Sequence, residues 1–369
     1  MRLHFYFARK FAIALLGVFG VFAILLTLLD IVEQIRRFSD ADISFGAAFE
    51  LSLLSVPQTL YRILPLIVLL ATLVLFLGLA RSSELVVTRA AGRSALRALI
   101  SPVAVSLLLG GLGIAVMNPI VAATQVRYEQ KAADLEAGGG SVLSISGEGL
   151  WMRQGGSEGQ TVIRAARASL DGTSFEGVTF IRFAPEGGDL QGPVQRIEAA
   201  AARLEPGRWV LENAKVWPLS GVPNPEAASS RAMEMELPSS LTLDQIRDSF
   251  GTPSAIPIWE LPAFIANLES AGFSAKLHRV WMQMELALPL FLMAMVLVGA
   301  GFTMRHTRFG RTGLMLLLAL MLGLGLYFIR NFAQILGENG QIPVGMAAWT
   351  PPIAGILASL ALLLHMEDG

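Results

Sequence analysis

Six stretches of this chain run for about 18 positions or more without a charged residue, the length a helix needs to cross the hydrocarbon core of a bilayer. They are 11–29, 63–80, 98–117, 286–304, 312–329 and 347–364, and nothing between Arg127 and Glu285 is comparable. The pattern predicts three membrane helices, a large polar domain, then three more membrane helices. After Asn118-Pro119 the apolar positions Ile120, Val121, Thr124, Val126 and Tyr128 are interleaved with Gln125, Arg127, Glu129 and Lys131, so the third helix is expected to continue as a polar helix as far as Gly138-Gly139-Gly140.

From Ser141 to about Leu237 the texture changes to short β-type runs separated by turn residues. Candidate strands are 141–145, 150–153, 161–165, 178–183, 194–200, 209–216 and 232–237, with Asp171-Gly172 and Glu205-Pro206-Gly207 as the best turns. Such spacing belongs to an all-β sandwich or roll. A short helix over 258–268, broken at Gly272, then leads through Trp281 into the fourth span. The predicted fold is an α+β membrane protein, with six transmembrane helices and a jelly-roll-like β domain inserted between helices 3 and 4. Its parts are 1–137, 138–255 and 256–369.

Arg and Lys placement predicts the orientation, because short cytoplasmic loops carry the excess. Arg2, Arg9 and Lys10 precede span one; Arg81, Arg89, Arg93 and Arg97 lie between spans two and three; Arg305, Arg308 and Arg311 lie between spans four and five. The alternate loops are acidic or neutral, with Asp30, Glu33, Asp40, Asp42 and Glu50 outnumbering Arg36 and Arg37. Both termini are then cytoplasmic and the β domain is outside. The basic N-terminus leads into 11–29 with no small-residue cleavage motif, which favours a retained first span over a removed signal peptide.

Composition agrees, with 53% hydrophobic and 15% charged residues. A net charge of −1 gives no basic field for nucleic acid. The absence of cysteine excludes disulfides, iron–sulfur clusters and thiol chemistry. His4, His278, His306 and His365 stand alone, without a second ligand at zinc spacing, and no cofactor is expected. Gly155-Gly156-Ser157-Glu158-Gly159 has the form of a hydrolase nucleophile elbow. That elbow needs a strand before it and a helix after it, whereas β-type residues flank this run on both sides, so it reads as a hairpin loop. Glycines at 110, 111, 113, 299, 301, 323 and 325 suit close helix packing, and Met282, Met284, Met293 and Met295 read as adaptable apolar filling.

The charged segment 80–94 between spans two and three is the most informative. Ser83 is placed to cap a helix, Glu84 follows at its positive end, Arg89 lies near its negative end, and Gly92 supplies a stop. Leu85, Val86, Thr88 and Ala91 give this helix, about 83–92, an apolar side too small for a core. Spacing alone reads it equally as a surface for a soluble partner or as a basic loop that fixes topology. No Gly-Lys pair occurs anywhere, so the chain holds no phosphate-cradling loop, and any ATP-driven work requires an ATPase on another polypeptide. Arg36 and Arg37 at the outer end of span one, and Arg62 at the outer end of span two, read either as interfacial anchors or as a phosphate clamp.

The run RSSELVVTRAAGRS at 81–94, preceded by LPLIVLLATLVLFLGLA, resembles the coupling segment of the LptF/LptG family of lipopolysaccharide export permeases. DIVEQIRRF at 30–38, LSLLSVPQTLYRILP at 51–65, GGGSVLSISGEGLW at 138–151 and GQIPVGMAAWTPPIAGIL at 340–357 are similar to the LptG branch, in the same order along the chain. The resemblance implies a non-ATPase permease subunit that extracts lipopolysaccharide from the inner membrane towards a periplasmic bridge. It implies an LptF permease partner, a dimer of the ATPase LptB and the single-span protein LptC. It also implies ATPase contact through Ser83, Glu84, Leu85, Thr88, Arg89 and Gly92, and approach of Arg36 and Arg37 to the lipid's phosphates. The alternatives are the paralogous LptF subunit, a membrane-anchored periplasmic hydrolase, and a membrane-anchored scaffold that recruits partners through its β domain.

Overall fold

The computed structural model describes residues 2–39, 43–84, 95–135, 143–146, 149–156, 159–168, 174–184, 192–239, 241, 252–270, 274–304 and 312–367. The chain divides into two compact units: 1–136 with 253–259 and 276–369, and 137–252 with 260–275.

The first unit is helical. α1 (Arg2–Arg37), α2 (Phe45–Arg81), α8 (Thr312–Glu338) and α9 (Val344–Glu367) are each long and apolar enough to span a membrane. So is the stretch formed by α3 (Ala95–Leu112), a π-helical turn at Gly113–Met117 and α4 (Asn118–Leu135). The fourth expected span is a broken one: α6 (Lys276–Leu286) and α7 (Leu288–Thr303) meet at a 51° bend. Its apolar half is too short to cross alone, so the amphipathic α6 completes it.

α7 is the centre of the unit. Its side chains are almost all buried, and α2, α3, α8 and α9 pack around it. Close approach of the helices depends on glycine at several positions, Gly299 of α7 against Thr72 among them. A Cβ at residue 110 would collide with the Pro289 backbone, and one at residue 323 with the Leu69 side chain. Gly111 and Gly325 have open space beside them. Pro57 and Pro65 lie inside the continuous α2. Neighbouring helices and side chains re-satisfy the backbone groups a membrane proline frees. At 37 residues and 1.5 Å rise each, α2 is about 55 Å long, well over the roughly 30 Å hydrocarbon core.

The described residues of the second unit form seven strands, β1 (Leu143–Ser146), β2 (Gly149–Gly156), β3 (Gly159–Ala168), β4 (Ser174–Phe183), β5 (Pro193–Glu205), β6 (Arg208–Pro218) and β7 (Ser230–Pro238). They form one antiparallel sheet in chain order, followed by α5 (Leu261–Ser270). Gly156 pairs with Gly159, so the glycine-rich run is a hairpin and the elbow reading is excluded; Ser157 itself lies outside the described residues, as does Asp171-Gly172. Pro206-Gly207 makes the tight β5–β6 turn, with Gly207 at φ 81°.

This sheet is rolled. β2 and β7 are five strand spacings apart in the ladder, about 24 Å if the sheet were flat. Yet Gln154 Nε2 of β2 donates to the Pro238 carbonyl of β7 at 2.9 Å, and Trp209 Nε1 of β6 donates to Gln154 Oε1 at 3.3 Å. The bend has a local cause. The inward alternation slips by one residue on three adjacent strands, between Phe175 and Val178, Ala199 and Ala202, and Leu211 and Ala214. Gly177 and Asn213 sit at two of these slips with φ of 59° and 51°. The slips lie side by side and the pairing register runs unchanged through them, so neighbouring strands share the kink and none carries an inserted residue there. Inside, the Phe175 and Phe180 rings meet Trp209 edge-on at 5.3 and 5.7 Å across the small alanines of β5.

Candidate coupling and substrate sites

α2 ends where the charged segment begins. Ser82 caps it, its N–H donating to the Gly78 carbonyl at 3.0 Å, and the Ser83 N–H donates to the Ala80 carbonyl at 3.2 Å. Ser83 has φ 57°, the left-handed conformation of a residue just past a helix end. The extended backbone expected of an N-cap is therefore not adopted at Ser83, because the chain has two residues in which to leave a 37-residue helix. Glu84 is already helical. Leu85, Thr88, Arg89 and Gly92 lie outside the described residues.

The Glu84 carboxylate is fully engaged. Lys10 Nζ donates to both its oxygens at 2.7 and 2.9 Å, the Tyr6 hydroxyl to Oε2 at 2.8 Å, and the Ser82 hydroxyl to Oε1 at 2.9 Å. Burial pushes this carboxyl up, but the bonds from Lys10, Tyr6 and Ser82 outweigh it and hold it below its ordinary value. Tyr6 and Lys10 are four residues apart on α1 and so share one face, while Phe7 and Phe11 on the adjoining face are buried.

At the other end of α1, Arg36 pairs with Glu33 at 2.8 Å and projects outward, with 78% of its side chain exposed. Arg37 donates to the Tyr128 hydroxyl at 3.0 Å and lies over the Phe38 ring. Asp30 accepts from Gln34 at 3.2 Å and from the Ser55 hydroxyl at 2.6 Å, so its charge is spent on joining α1 to α2.

Arg62 does not join this pair. It lies seven residues along α2 from Ser55, the partner of Asp30, while Arg36 lies six residues along α1 in the opposite axial direction. At 1.5 Å per residue the two arginines differ in level by about 20 Å. Among the described residues Arg62 makes no ion pair.

What Arg62 does join is a polar cavity of about 220 Å³, lined also by Gln58, Tyr61, Asn118, Glu285 and Arg330. The Tyr61 hydroxyl donates to Glu285, which is buried, and Asn118 Nδ2 lies 3.3 Å from the same oxygen. Arg330 stacks on the Phe291 ring at 5.3 Å and supplies the opposite charge to Glu285. Charges set within a membrane domain are costly and are held by partners or by a water-filled cavity. Both escaped the sequence reading because each is the charged residue that ends an apolar run: Glu285 precedes 286–304 and Arg330 follows 312–329. Their signal was the mismatch between run ends and helix ends.

Residues 5–365 match the family described as lipopolysaccharide export system permease LptF/LptG. The chain belongs to the LptF/LptG family. This multi-pass membrane protein is thus a permease of the lipopolysaccharide export system, and the family's permease subunits are not catalytic. The lipopolysaccharide export system permease protein LptG of Escherichia coli K12 is 26% identical over 347 residues, covering 92% of this chain and 91% of the relative. The LptG protein of Haemophilus influenzae is 23% identical over 357 residues, covering 92% of each chain. In this LptF/LptG permease, then, three groups of charged side chains among the described residues bear on function: the Lys10 end of α1, the Arg36 end of α1, and the cavity beside Arg62.

Proposed function

We propose that the chain is an LptG-type subunit which pairs with an LptF-type permease and is driven by a dimer of the ATPase LptB. In this reading LptC contributes to the bridge that receives the lipid. The protein lies in the bacterial inner membrane with both termini cytoplasmic and the rolled β sheet in the periplasm, an orientation supported by the Arg and Lys asymmetry of the loops. Segment 83–92 docks the ATPase through the surface that includes Leu85, Thr88, Arg89 and Gly92. Arg36 and Arg37 meet phosphates of the lipid at one level of the membrane domain, and Arg62 meets anionic groups at another. Guanidinium groups suit both tasks because their planar fork matches phosphate oxygens.

The observation that carries the reading is the family match over 5–365 in a sequence that lacks any phosphate loop of its own. An exporter of this class has to take its ATPase from another chain. The test is co-purification in detergent of the wild type and of Leu85→Arg, each probed for an ABC ATPase. Capture by the wild type and loss in the variant support docking through 83–92. A wild type that brings no ATPase overturns the reading.

A further inference from the structure

Three donor groups that line the cavity beside Arg62 have no acceptor among the described residues. The Trp281 indole N–H is buried there and donates to nothing. The Arg62 and Arg330 guanidinium groups make no ion pair and no hydrogen bond, although one face of Arg330 is covered by the Phe291 ring. The carboxylate of the cavity, Glu285, is already taken up by Tyr61 and Asn118. Buried donors left unmet are costly, so the cavity calls for an acceptor from outside the chain.

Charge narrows the choice. Two guanidinium groups against one carboxylate leave a single net positive charge, which a phosphodiester, with its single negative charge, balances. A phosphomonoester, at about −1.5 to −2 near neutrality, exceeds it, and an ammonium on the same headgroup would restore the excess. At about 220 Å³ the cavity falls short of the roughly 300–1,000 Å³ that takes a whole drug-sized ligand, so it suits a headgroup whose remainder stays outside.

Position supplies the remainder. Arg62 lies 19 residues before Arg81 on α2, about 28 Å at 1.5 Å per residue, and the run 63–80 between them carries no charge. That length is close to the roughly 30 Å hydrocarbon core, so with Arg81 at one boundary Arg62 stands at the other, at the level of headgroups. Arg62 and Ile335 are both cavity-lining and exposed. Phe328, Phe332 and Ile335 continue from there as an exposed apolar stripe on one face of α8. A free ion gains nothing from such a stripe, whereas an acyl chain does.

We propose that the cavity binds the headgroup of an anionic glycerophospholipid, its phosphodiester held by Arg62, Arg330 and the Trp281 indole, with an acyl chain along Phe328, Phe332 and Ile335. This lipid is a resident of the permease rather than its cargo. The proposal rests on the anion-binding role given to Arg62 above and names the anion.

The experiment uses the full-length protein, purified in detergent with its accompanying subunits and stripped of lipid. It is titrated with phosphatidylglycerol, phosphatidylethanolamine, inorganic phosphate and lipopolysaccharide, bound molecules being counted by native mass spectrometry and affinity read from the rise in thermal midpoint. Arg62→Gln should weaken phosphatidylglycerol binding about tenfold or more, the worth of one charge-assisted hydrogen bond. Trp281→Phe, which removes only the N–H, should weaken it about threefold and leave lipopolysaccharide binding unchanged. Should Arg62→Gln fail to fold, Trp281→Phe carries the test alone. Unchanged phosphatidylglycerol affinity in Trp281→Phe overturns the proposal, and so does phosphatidylethanolamine or inorganic phosphate binding as tightly as phosphatidylglycerol. Lipopolysaccharide weakened by Trp281→Phe as much as phosphatidylglycerol would put the cargo in the cavity, overturning the phospholipid while sparing the anion-binding role of Arg62. A folded Arg62→Gln that binds every probe like the wild type fails that role itself.

Discussion

The Asn118 side-chain oxygen accepts a hydrogen bond from the backbone N–H of Ile258 at 2.9 Å, tying the start of α4 to the turn after Pro253–Ala255. The same amide reaches Glu285 through Nδ2. Asn118→Ala would strand a buried N–H and weaken the hold on a buried carboxylate. It is expected to cost about 1–3 kcal/mol, read as a lower thermal midpoint in detergent. A midpoint equal to the wild type's would contradict this role.

Glu285 and Arg330 are expected to behave as a pair. Removing either charge leaves the other without compensation inside the helical unit. Glu285→Leu or Arg330→Met alone should destabilise by about 1–3 kcal/mol, because the two groups face one cavity and interact across it without a direct ion pair among the described residues. The double variant should recover most of the loss. Additive losses in a double-mutant cycle would show that the two charges are not coupled.

Gln154 closes the β roll. It bonds the Pro238 carbonyl, the Trp209 indole and, at 3.1 Å, the Ser239 hydroxyl. Gln154→Leu should therefore open the seam between β2 and β7, at about 0.5–1.5 kcal/mol, the net worth of a hydrogen bond whose partners water can reach. Hydrogen exchange should speed up in β7 and at the end of β6 while β3–β5 stay protected. Unchanged exchange in β7 would mean the seam is held by packing alone.

The clamp on Glu84 predicts a pH dependence with a definite sign. A carboxyl whose folded value lies below its unfolded value of 4.5 contributes stability that is fully present above 4.5 and is lost as pH falls through the lowered folded value. The difference in thermal midpoint between the wild type and Glu84→Gln should be flat from about pH 8 to about pH 5 and shrink only below that. A difference that vanishes near neutrality would point to some other group.

What the sequence determined by itself was everything encoded within one element. A bilayer imposes length and excludes charge, so all six apolar runs could be read locally, and turn residues with apolar runs between them revealed all seven strands. The motifs at 30–38, 51–65, 81–94, 138–151 and 340–357 also sufficed to point to the LptF/LptG family.

Tertiary structure alone decided what meets what. Tyr61 and Glu285 are 224 positions apart, and Tyr6 and Glu84 are 78 apart, distances over which no periodicity carries information. Charge counting treated Lys10 as a topology marker and Arg62 as a companion of Arg36 and Arg37, and passed over Arg330. Packing instead gave Lys10 to Glu84, set Arg330 beside Glu285, and placed Arg62 in their cavity. The conformation of Ser83 was likewise settled by the helix before it rather than by its capping propensity. The physical reason is common to all of these: a polar group in an apolar bundle takes whatever partner the fold brings within reach, since leaving it unpaired costs more than local preference can offset.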